Sequence, residues 1–389
     1  LLLLLILDMI DNYGGANMNF VIEQSVFHNA LKKVNRAVSK SNTLPILSGL
    51  LLKSNENKNL ELISTDLEIG IELEIGADIN QPGNIVLPAN ELSNIIRELP
   101  AEPIHIKVNQ DKYTAEIQTS NSHFKLNGFN PEEFPSLPDV EKSYNLTINS
   151  DQLKNIIDRV KFSCDKNNSQ PGLTGALLSI KENEIIMVAT NTYRMAYCKK
   201  DIEHDIGEEI RNIIPVNSLN ELSNLLGDYD DESVNVIIDN SHIKFSFGDI
   251  ILTSRLIEGK FPNYQQVMPN EYNNLIRIEK DSLLRAVKRA SLIAKLDSGV
   301  VNLKFTNKNK LIIESVNSEK GHAHEEVNIE MDGGEQNINI DVNYLIDVLK
   351  VISEEEVKLE LIGPLNPLTV KEADNEDFIY LIMPVRPGS

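Results

Sequence analysis

The stretch IEKDSLLRAVKRA at residues 278–290 has the pattern around which the whole chain is organised. It predicts the end of a strand, a helix cap at Asp281 or Ser282, and then an amphipathic helix. Leu283, Leu284 and Val287 fall on one face at helical spacing, and basic side chains fall on the other face. We therefore expect a helix that packs its apolar face into a core and turns its basic face outward.

The same pattern occurs twice earlier in the chain. The isoleucines that open the three copies, Ile22, Ile148 and Ile278, are 126 and 130 residues apart. Each copy has a second amphipathic helix in register, and its central leucines are 127 and 126 residues apart: Leu92, Leu219 and Leu345. A period this long indicates repeated domains rather than a solenoid. The predicted fold class is α+β, with three tandem copies of a domain made of two helices and an antiparallel sheet.

Alternating apolar residues between the helices predict strands, and two polar turns predict hairpins at 239–241 and 307–309. Prolines cluster at Pro131, Pro135 and Pro138 and mark the first boundary. We expect domains at 18–140, 141–270 and 271–386. The apolar start at 1–17 is interpreted as an upstream leader or an expression extension, and 387–389 as a tag remnant.

Charge is distributed unevenly along the chain. The 389 residues carry a net charge of −21, but the repeated helices at 24–40, 151–166 and 281–295 carry +4, +1 and +3. An ordinary solvated helix face is the simpler explanation for any one of them. Three in register in an acidic chain favour an anionic partner bound from that face only. Because no base-reading motif is visible, nucleic acid would be bound without sequence preference.

The remaining composition excludes several classes of protein. Two cysteines in apolar surroundings, Cys164 and Cys198, are typical of reduced core thiols. The apolar run at the start is shorter than the roughly 20 residues that span a bilayer and lacks a basic flank. A cytoplasmic protein is the expectation, and a secreted or structural repeat protein that uses the leader is the alternative.

Several motifs resemble those of the bacterial DNA polymerase III β sliding clamp family. They are TLPIL at 43–47, TDLE at 65–68, VATNTYRMA at 188–196, FPNY at 261–264 and YLIMPVR at 380–386. Each is weak alone, but their order and spacing are specific and extend over nearly the whole chain. The resemblance implies a homodimeric ring that encircles duplex DNA, with no catalysis, cofactor or metal of its own. It also implies that the ring tethers the DNA polymerase III α subunit, a clamp loader and other proteins with clamp-binding motifs.

The resemblance also implies three sets of functional residues. DNA would meet the basic helices at Lys32, Lys33, Arg36, Lys40, Lys154, Lys161, Arg285, Lys288 and Arg289. Partner peptides would bind between the second and third domains at Leu173, Thr190, Thr192, Tyr193, Arg194, Met195, Pro262, Val267, Tyr344, Leu365, Leu381, Met383, Pro384, Val385 and Arg386. The dimer contact would join Phe124 and Leu126 of one copy to Leu292 and Ile293 of the other. In the cleft, Arg194 and Arg386 are expected to hold a peptide carboxylate or carbonyl.

An enzyme is the competing class. Its best candidate is the motif HAHEE at 322–326, because alternate histidines on a strand point the same way and could bind a metal. The chain has no phosphate-binding loop, no glycine-rich dinucleotide turn and no Gly-x-Ser-x-Gly nucleophile elbow. Two departures from the family pattern concern the DNA contact: Asn42 precedes TLPIL where an arginine is usual, and Pro171-Gly172 replaces an aromatic pair.

Overall fold

The computed structural model describes residues 18–40, 44–54, 59–141, 144–167 and 170–386, with the backbone alone at 203–208. The predicted leader at 1–17, the tag remnant at 387–389, Asn42 and Thr43 lie outside the described residues. No helix in these ranges is long and apolar enough to cross a membrane.

The first repeat has two helices, α1 and α2, and nine strands. The elements in order are β1 (Asn19–Glu23), α1 (Gln24–Val34), β2 (Gly49–Ser54), β3 (Asn59–Thr65), β4 (Ile69–Gly76), β5 (Asp78–Gln81), β6 (Asn84–Pro88), α2 (Ala89–Glu98), β7 (Pro103–Asn109), β8 (Thr114–Gln118) and β9 (His123–Asn127). Helix α1 buries Phe27, Leu31 and Val34 at the predicted helical spacing.

The second repeat has the same order with longer and fewer strands. Its elements are β10 (Tyr144–Asn149), α3 (Ser150–Val160), β11 (Gly175–Thr190), β12 (Arg194–Pro215), α4 (Val216–Leu226), β13 (Ser233–Ile238), β14 (His242–Phe247) and β15 (Ile250–Arg255). The predicted hairpin at 239–241 is confirmed, because β13 pairs with β14 and the Asp239 carboxylate accepts from the amides of Ser241 and His242, each at 2.7 Å.

The third repeat also contains two helices, α5 and α6. Its elements are β16 (Asn274–Glu279), α5 (Lys280–Ala294), β17 (Val300–Thr306), β18 (Lys310–Asn317), β19 (Gly321–Asn328), β20 (Glu330–Asp332), β21 (Gln336–Asp341), α6 (Val342–Val351), β22 (Glu356–Leu361), β23 (Leu368–Glu372) and β24 (Phe378–Ile382). Strands β17 and β18 form the hairpin predicted around 307–309.

The start of helix α5 differs from the sequence prediction. Helix α5 is capped by Glu279 rather than by Asp281 or Ser282, because the Glu279 carboxylate accepts from both of their amides. A glutamate reaches amides two and three residues on, as shorter capping side chains do. Helix α2 follows Pro88 and has no side-chain cap, whereas helix α6 is capped by Asp341.

Contacts divide the chain into two compact units that do not coincide with the three repeats. One unit runs to Thr147 and includes Asp228–Arg255, and the other comprises Ile148–Gly227 and the chain from Leu256 onward. Within the first unit, a five-stranded sheet has the order β5-β1-β7-β8-β9, and an eight-stranded sheet has the order β10-β13-β14-β15-β4-β3-β2-β6. The second unit holds a seven-stranded sheet, β11-β12-β24-β23-β22-β16-β20, and a four-stranded sheet, β19-β18-β17-β21.

The reason for this division is that neighbouring repeats share a sheet. In the first unit, β4 of the first repeat pairs antiparallel with β15 of the second repeat, from Ile69–Ser254 to Leu73–Ile250. In the second unit, β12 of the second repeat pairs antiparallel with β24 of the third repeat, from Arg194–Ile382 to Cys198–Phe378. We call these two pairings the internal junctions.

Candidate functional site

A tight turn between β11 and β12 positions the side chains predicted to meet a peptide. The Thr190 hydroxyl accepts from the amide of Thr192 at 3.1 Å and donates to the carbonyl of Arg194 at 2.7 Å. The side-chain oxygen Oδ1 of Asn191 accepts from the backbone amides of Tyr193 and Arg194 at 3.1 and 3.0 Å. Thr192 takes a left-handed φ of 73°, which is uncommon for a β-branched residue. The turn leaves the Tyr193 ring 64% exposed.

Tyr193 forms one wall of a cavity of about 600 Å³ in the second unit. The chain end after β24 forms another wall, because the Met383 amide donates to the Tyr193 carbonyl at 2.9 Å and the Val385 amide donates to the Asn339 carbonyl at 2.8 Å. The complete lining is Tyr193, Ser298, Val300, Asn339, Asp341, Tyr344, Met383, Pro384, Val385 and Arg386. Aromatic, aliphatic and Met side chains with a few polar groups suit an extended peptide.

All fifteen predicted cleft residues lie in the second unit, but six of them line the cavity: Tyr193, Tyr344, Met383, Pro384, Val385 and Arg386. Met195 and Leu381 belong to a buried apolar cluster with Leu177, Val188, Ile213 and Tyr264, and Leu173 is also buried. Surface members are Thr192, Tyr193, Pro262, Val267, Leu365, Met383 and Arg386, and half-buried members are Thr190, Tyr344, Pro384 and Val385. The sequence prediction missed Ser298, Val300, Asn339 and Asp341, because no local pattern marks residues that reach the cavity from β17 and β21.

Arg194 supports the turn from inside rather than facing the cavity as an open ligand. Its side chain is 7% exposed, donates to Asp347 at 2.8 Å and donates to the Phe162 carbonyl. Its guanidinium also lies 4.6 Å from the Tyr344 ring centroid and 5.5 Å from that of Phe162. Burial opposes the charge, but the Tyr380 hydroxyl and the Asp347 carboxylate raise the pKa of Arg194. The cavity therefore presents Arg386, rather than Arg194, as its exposed guanidinium.

The basic residues of α1 and of the segment that follows it are not equally available. Lys32 in α1 and Lys40 after it are exposed, and Arg36 is half-buried. Lys33 instead contacts the Tyr229 hydroxyl at 2.5 Å, lies 4.5 Å from the centre of that ring and lies 3.8 Å from Asp249. Burial and the Asp249 carboxylate, which accepts from the hydroxyl, raise the pKa of Tyr229 and keep it neutral. Lys33 thus links α1 to the β14–β15 hairpin.

Helix α3 has most of its positive charge neutralised locally. Lys154 and Lys161 both contact Asp158, at 2.6 and 2.7 Å. Burial opposes ionisation of Asp158, but these two ammonium groups and Ser223 lower its pKa. Arg159, the other basic residue of α3, is buried and makes a two-pronged ion pair with Glu372 on β23 at 2.7 and 2.8 Å. It therefore does not belong to the exposed basic face that the sequence pattern predicts for this helix.

Helix α5 carries the most exposed basic face of the three. Arg285, Lys288 and Arg289 all lie on its surface, as predicted. Arg289 is held by Glu325 at 2.9 and 2.5 Å, and Arg285 lies 3.9 Å from Glu279. Lys288 makes no ion pair within the described ranges of the chain.

Comparison with protein-family models assigns most of the described chain. Residues 18–138 match the N-terminal domain of the DNA polymerase III beta subunit, 147–263 match its central domain, and 265–386 match its C-terminal domain. The chain belongs to the DNA polymerase III beta subunit family. The beta sliding clamp of Staphylococcus epidermidis is 32% identical over 379 residues, which cover 95% of this chain and 99% of the relative. That of Staphylococcus aureus is 31% identical over 378 residues, covering 95% and 99%.

Solved beta subunit structures have the same fold. The DNA polymerase sliding clamp of Bacillus subtilis matches with a TM-score of 0.91 at 30% identity, over 95% of this chain and 99% of that one. The clamp of Pseudomonas aeruginosa bound to griselimycin matches with a TM-score of 0.89 at 31% identity, over 96% and 100%. The family resemblance is therefore confirmed, and so is the three-domain clamp fold with mixed helices and antiparallel sheets.

Among the strands at the ends of the four sheets, two carry predicted dimer residues or lie close to them. Strand β9 closes the five-stranded sheet and presents Phe124, 40% exposed, and half-buried Leu126. Strand β19 closes the four-stranded sheet and packs on α5, where Leu292 is 70% exposed and Ile293 is half-buried. We call β9 and β19 the two open edges. An exposed edge with apolar side chains is a ready site for pairing with another chain.

The remaining candidates from the sequence concern metal and thiol chemistry. The histidines of 322–326 lie on β19, and His324 is near Glu314 at 3.3 Å and Glu326 at 3.5 Å. Within the described ranges, no group of three or more His, Cys, Asp or Glu side chains is placed to hold a metal ion. Cys164 and Cys198 are free and buried, and burial raises their pKa values to about 12 and about 11.

Proposed function

We propose that two copies of this chain form a ring that encircles duplex DNA and tethers the DNA polymerase III α subunit and other replication proteins, without catalysis of its own. The observation that carries this proposal is the pair of open edges. Each internal junction pairs a strand of one repeat with the last strand of the next repeat, β4 with β15 and β12 with β24. The last strand of the first repeat, β9, and the strand β19 of the third repeat have no such partner in the described chain. A second copy that joins head to tail would use both, and such a contact makes a ring when its rotation closes.

The charge pattern supports DNA as the enclosed partner. The described basic residues of α1, α3 and α5 lie on an acidic chain, and they are exposed most clearly on α5. Lysines and arginines near phosphate act within a Debye length of about 8 Å, so acidic groups farther away are largely screened. We propose contacts from Lys32, Lys33, Arg36, Lys40, Lys154, Lys161, Arg285, Lys288 and Arg289. We expect weaker contacts from Lys154, Lys161 and Arg289, because each lies within 2.7 Å of a carboxylate oxygen.

The cavity beside Tyr193 supports the second half of the proposal. Its lining combines Tyr193, Met383 and Val385 with polar groups from β21. We propose that it takes a short linear peptide from a clamp loader, a polymerase or another partner. A solved relative bound to griselimycin supports a ligand site on this fold.

Retention on DNA tests the ring. After loading by a clamp loader, the protein should stay on nicked circular DNA through gel filtration and leave when that DNA is cut to a linear form. The retention is topological, so it should persist at salt concentrations that weaken direct phosphate contacts. Equal retention on circular and linear DNA would reject the tether.

Peptide affinity tests the cleft separately. Tyr193→Ala removes an exposed ring from the cavity wall, and we expect a loss of about 1–3 kcal/mol in binding a fluorescent peptide that carries the polymerase's clamp-binding motif. Val26→Ala removes an exposed apolar side chain from α1 and is the matched control. If both variants bind the peptide as tightly as the parent, the site lies elsewhere.

A further inference from the structure

We infer that Arg194 is a positioning residue for the peptide cavity and acts with Asp347 to hold the Tyr344 ring as a fixed part of the cavity wall. Peptide affinity then depends on an ion pair that the peptide does not touch. The inference rests on the proposed peptide site, and it gives a role in that site to Asp347, which does not line the cavity.

The backbone hydrogen bonds of the turn at 190–194 do not depend on an arginine. The first repeat contains the same turn at 65–69, where a threonine hydroxyl and an aspartate carboxylate make the same four bonds to the backbone at 2.8–3.0 Å. The left-handed φ of the third residue also recurs, at 77° in the first repeat and 73° in the second. The residue equivalent to Arg194 is the buried Ile69. An apolar side chain is therefore enough for the turn, and the arginine must serve something else.

Helix α6 is what the Arg194 side chain contacts. Its Nη1 donates to the Asp347 carboxylate at 2.8 Å, and its guanidinium lies 4.6 Å from the ring centre of Tyr344, three residues earlier on the helix. Residues three apart lie on one helix face. A planar guanidinium can stack its face on an aromatic ring and bond a carboxylate through its edge. One side chain thus fixes both helix residues relative to the turn.

The other described hydrogen bonds of Tyr344 leave its ring loosely held. Its hydroxyl accepts from the Asn191 amide group at a long 3.4 Å. Its carbonyl accepts from the Tyr380 hydroxyl at 3.1 Å, which fixes the backbone rather than the ring. Without the stacked guanidinium, peptide binding would have to order the ring, and ordering a side chain on binding costs affinity.

Asp347 faces away from the peptide cavity. It lines a separate cavity of about 540 Å³ between α3 and α6, where the Lys350 ammonium lies 3.9 Å from its carboxylate. Asp347 can therefore be changed without altering an atom of the peptide cavity's lining. Its side chain is 34% exposed, so an isosteric substitution should fold normally.

Asp347→Asn tests the inference, because it keeps the shape of the side chain and removes the charge that holds Arg194. We expect a fluorescent peptide that carries the polymerase's clamp-binding motif to bind this variant roughly tenfold more weakly than the parent. The matched control is Glu360→Gln, which breaks the buried ion pair with Lys371 at 3.0 Å in the same unit. Its peptide affinity should equal that of the parent.

A second variant tests the stacking. Arg194→Lys keeps a cation for Asp347 but has no planar group to stack on Tyr344, so it should weaken peptide binding by a similar factor. Parental affinity in this variant would overturn the inference.

A double-mutant cycle separates positioning from a merely structural role. Tyr344→Leu keeps an apolar wall but removes the ring. In this background Asp347→Asn should change peptide affinity less than about twofold, because residues that act through one another are not additive. An equal loss in both backgrounds would overturn the positioning role.

The outcomes also separate this inference from the proposed function. If Tyr193→Ala weakens peptide binding and Asp347→Asn does not, the peptide site stands and the positioning role is rejected. A parent protein that binds no peptide would overturn both.

Discussion

At the scale of single residues, equal charges in the sequence perform different tasks in the structure. Arg159 and Lys154 lie five positions apart on α3, yet Arg159 is buried against Glu372 while Lys154 lies near the surface beside Asp158. Arg194, one residue after an exposed tyrosine, is buried on Asp347. A basic residue next to apolar neighbours fits either role, and only the position of an opposing carboxylate decides between them.

Glu372→Gln tests the buried ion pair. Removing one partner leaves Arg159 uncompensated, so we expect a loss of about 3–5 kcal/mol in the free energy of unfolding in urea at pH 7. The matched control is Glu356→Gln, which removes the carboxylate from the surface ion pair of Glu356 with Arg277, 3.6 Å apart. It should change stability little. Similar losses in both variants would contradict a special role for the buried pair.

The same residue predicts a pH dependence of stability. Burial opposes ionisation of Glu372, but Arg159 and Ser353 hold its pKa below the usual value. The unfolded chain, with a Glu pKa of about 4.3, then binds the proton more readily, so this stabilisation is complete above about pH 5 and declines as the pH falls through the folded pKa. Glu372→Gln should therefore lose less stability between pH 7 and pH 3 than the parent protein does.

At the scale of elements, the repeats share a residue pattern but differ in the hydrogen bonds at the starts of their helices. Helices α1 and α5 both follow a glutamate at the equivalent position, Glu23 and Glu279. The Glu279 carboxylate accepts from two amides, at 2.9 and 2.7 Å, whereas Glu23 makes no capping bond. The sequence predicted both helices from their apolar spacing, but it could not distinguish which glutamate closes the first turn.

The matched pair Glu279→Ala and Glu23→Ala tests this difference. Loss of a side-chain cap costs about 0.5–2 kcal/mol, so Glu279→Ala should raise hydrogen exchange at the amides of Asp281 and Ser282. Glu23→Ala should leave exchange at the start of α1 nearly unchanged. A larger increase in exchange for Glu23→Ala than for Glu279→Ala would show that the Glu279 cap contributes nothing.

At the scale of the whole molecule, neighbouring repeats are joined because their strands pair in shared sheets. The internal junctions explain why two compact units contain three repeats, and they leave β9 and β19 as edges that are exposed at the ends of their sheets. The sequence predicted three domains of similar length. It could not show that their sheets join, because strand pairing between repeats depends on backbone edges that carry no sequence signal.

Lys288→Gln tests the proposed DNA face of the molecule. Each phosphate contact contributes about −0.9 to the slope of log affinity against log salt concentration. On a short linear duplex, the variant should therefore have a slope that is less negative by nearly one unit for each Lys288 contact that is lost. Lys154→Gln is the control of the same residue type, and its effect should be smaller because Asp158 already holds that ammonium at 2.6 Å. Equal effects would indicate that local pairing does not limit the contact.

The order of apolar and polar residues was sufficient by itself to determine the three repeats, both helices of each repeat, the hairpins and the family. These features depend on spacing along one segment, since an amphipathic helix or an alternating strand is specified by neighbours a few residues apart. The tertiary structure alone decided that Arg159 and Arg194 are buried, that β21 lines the cavity and that β9 and β19 lie at the ends of their sheets. Those features depend on groups up to 213 positions apart, such as Arg159 and Glu372, whose approach is set by packing rather than by any local pattern.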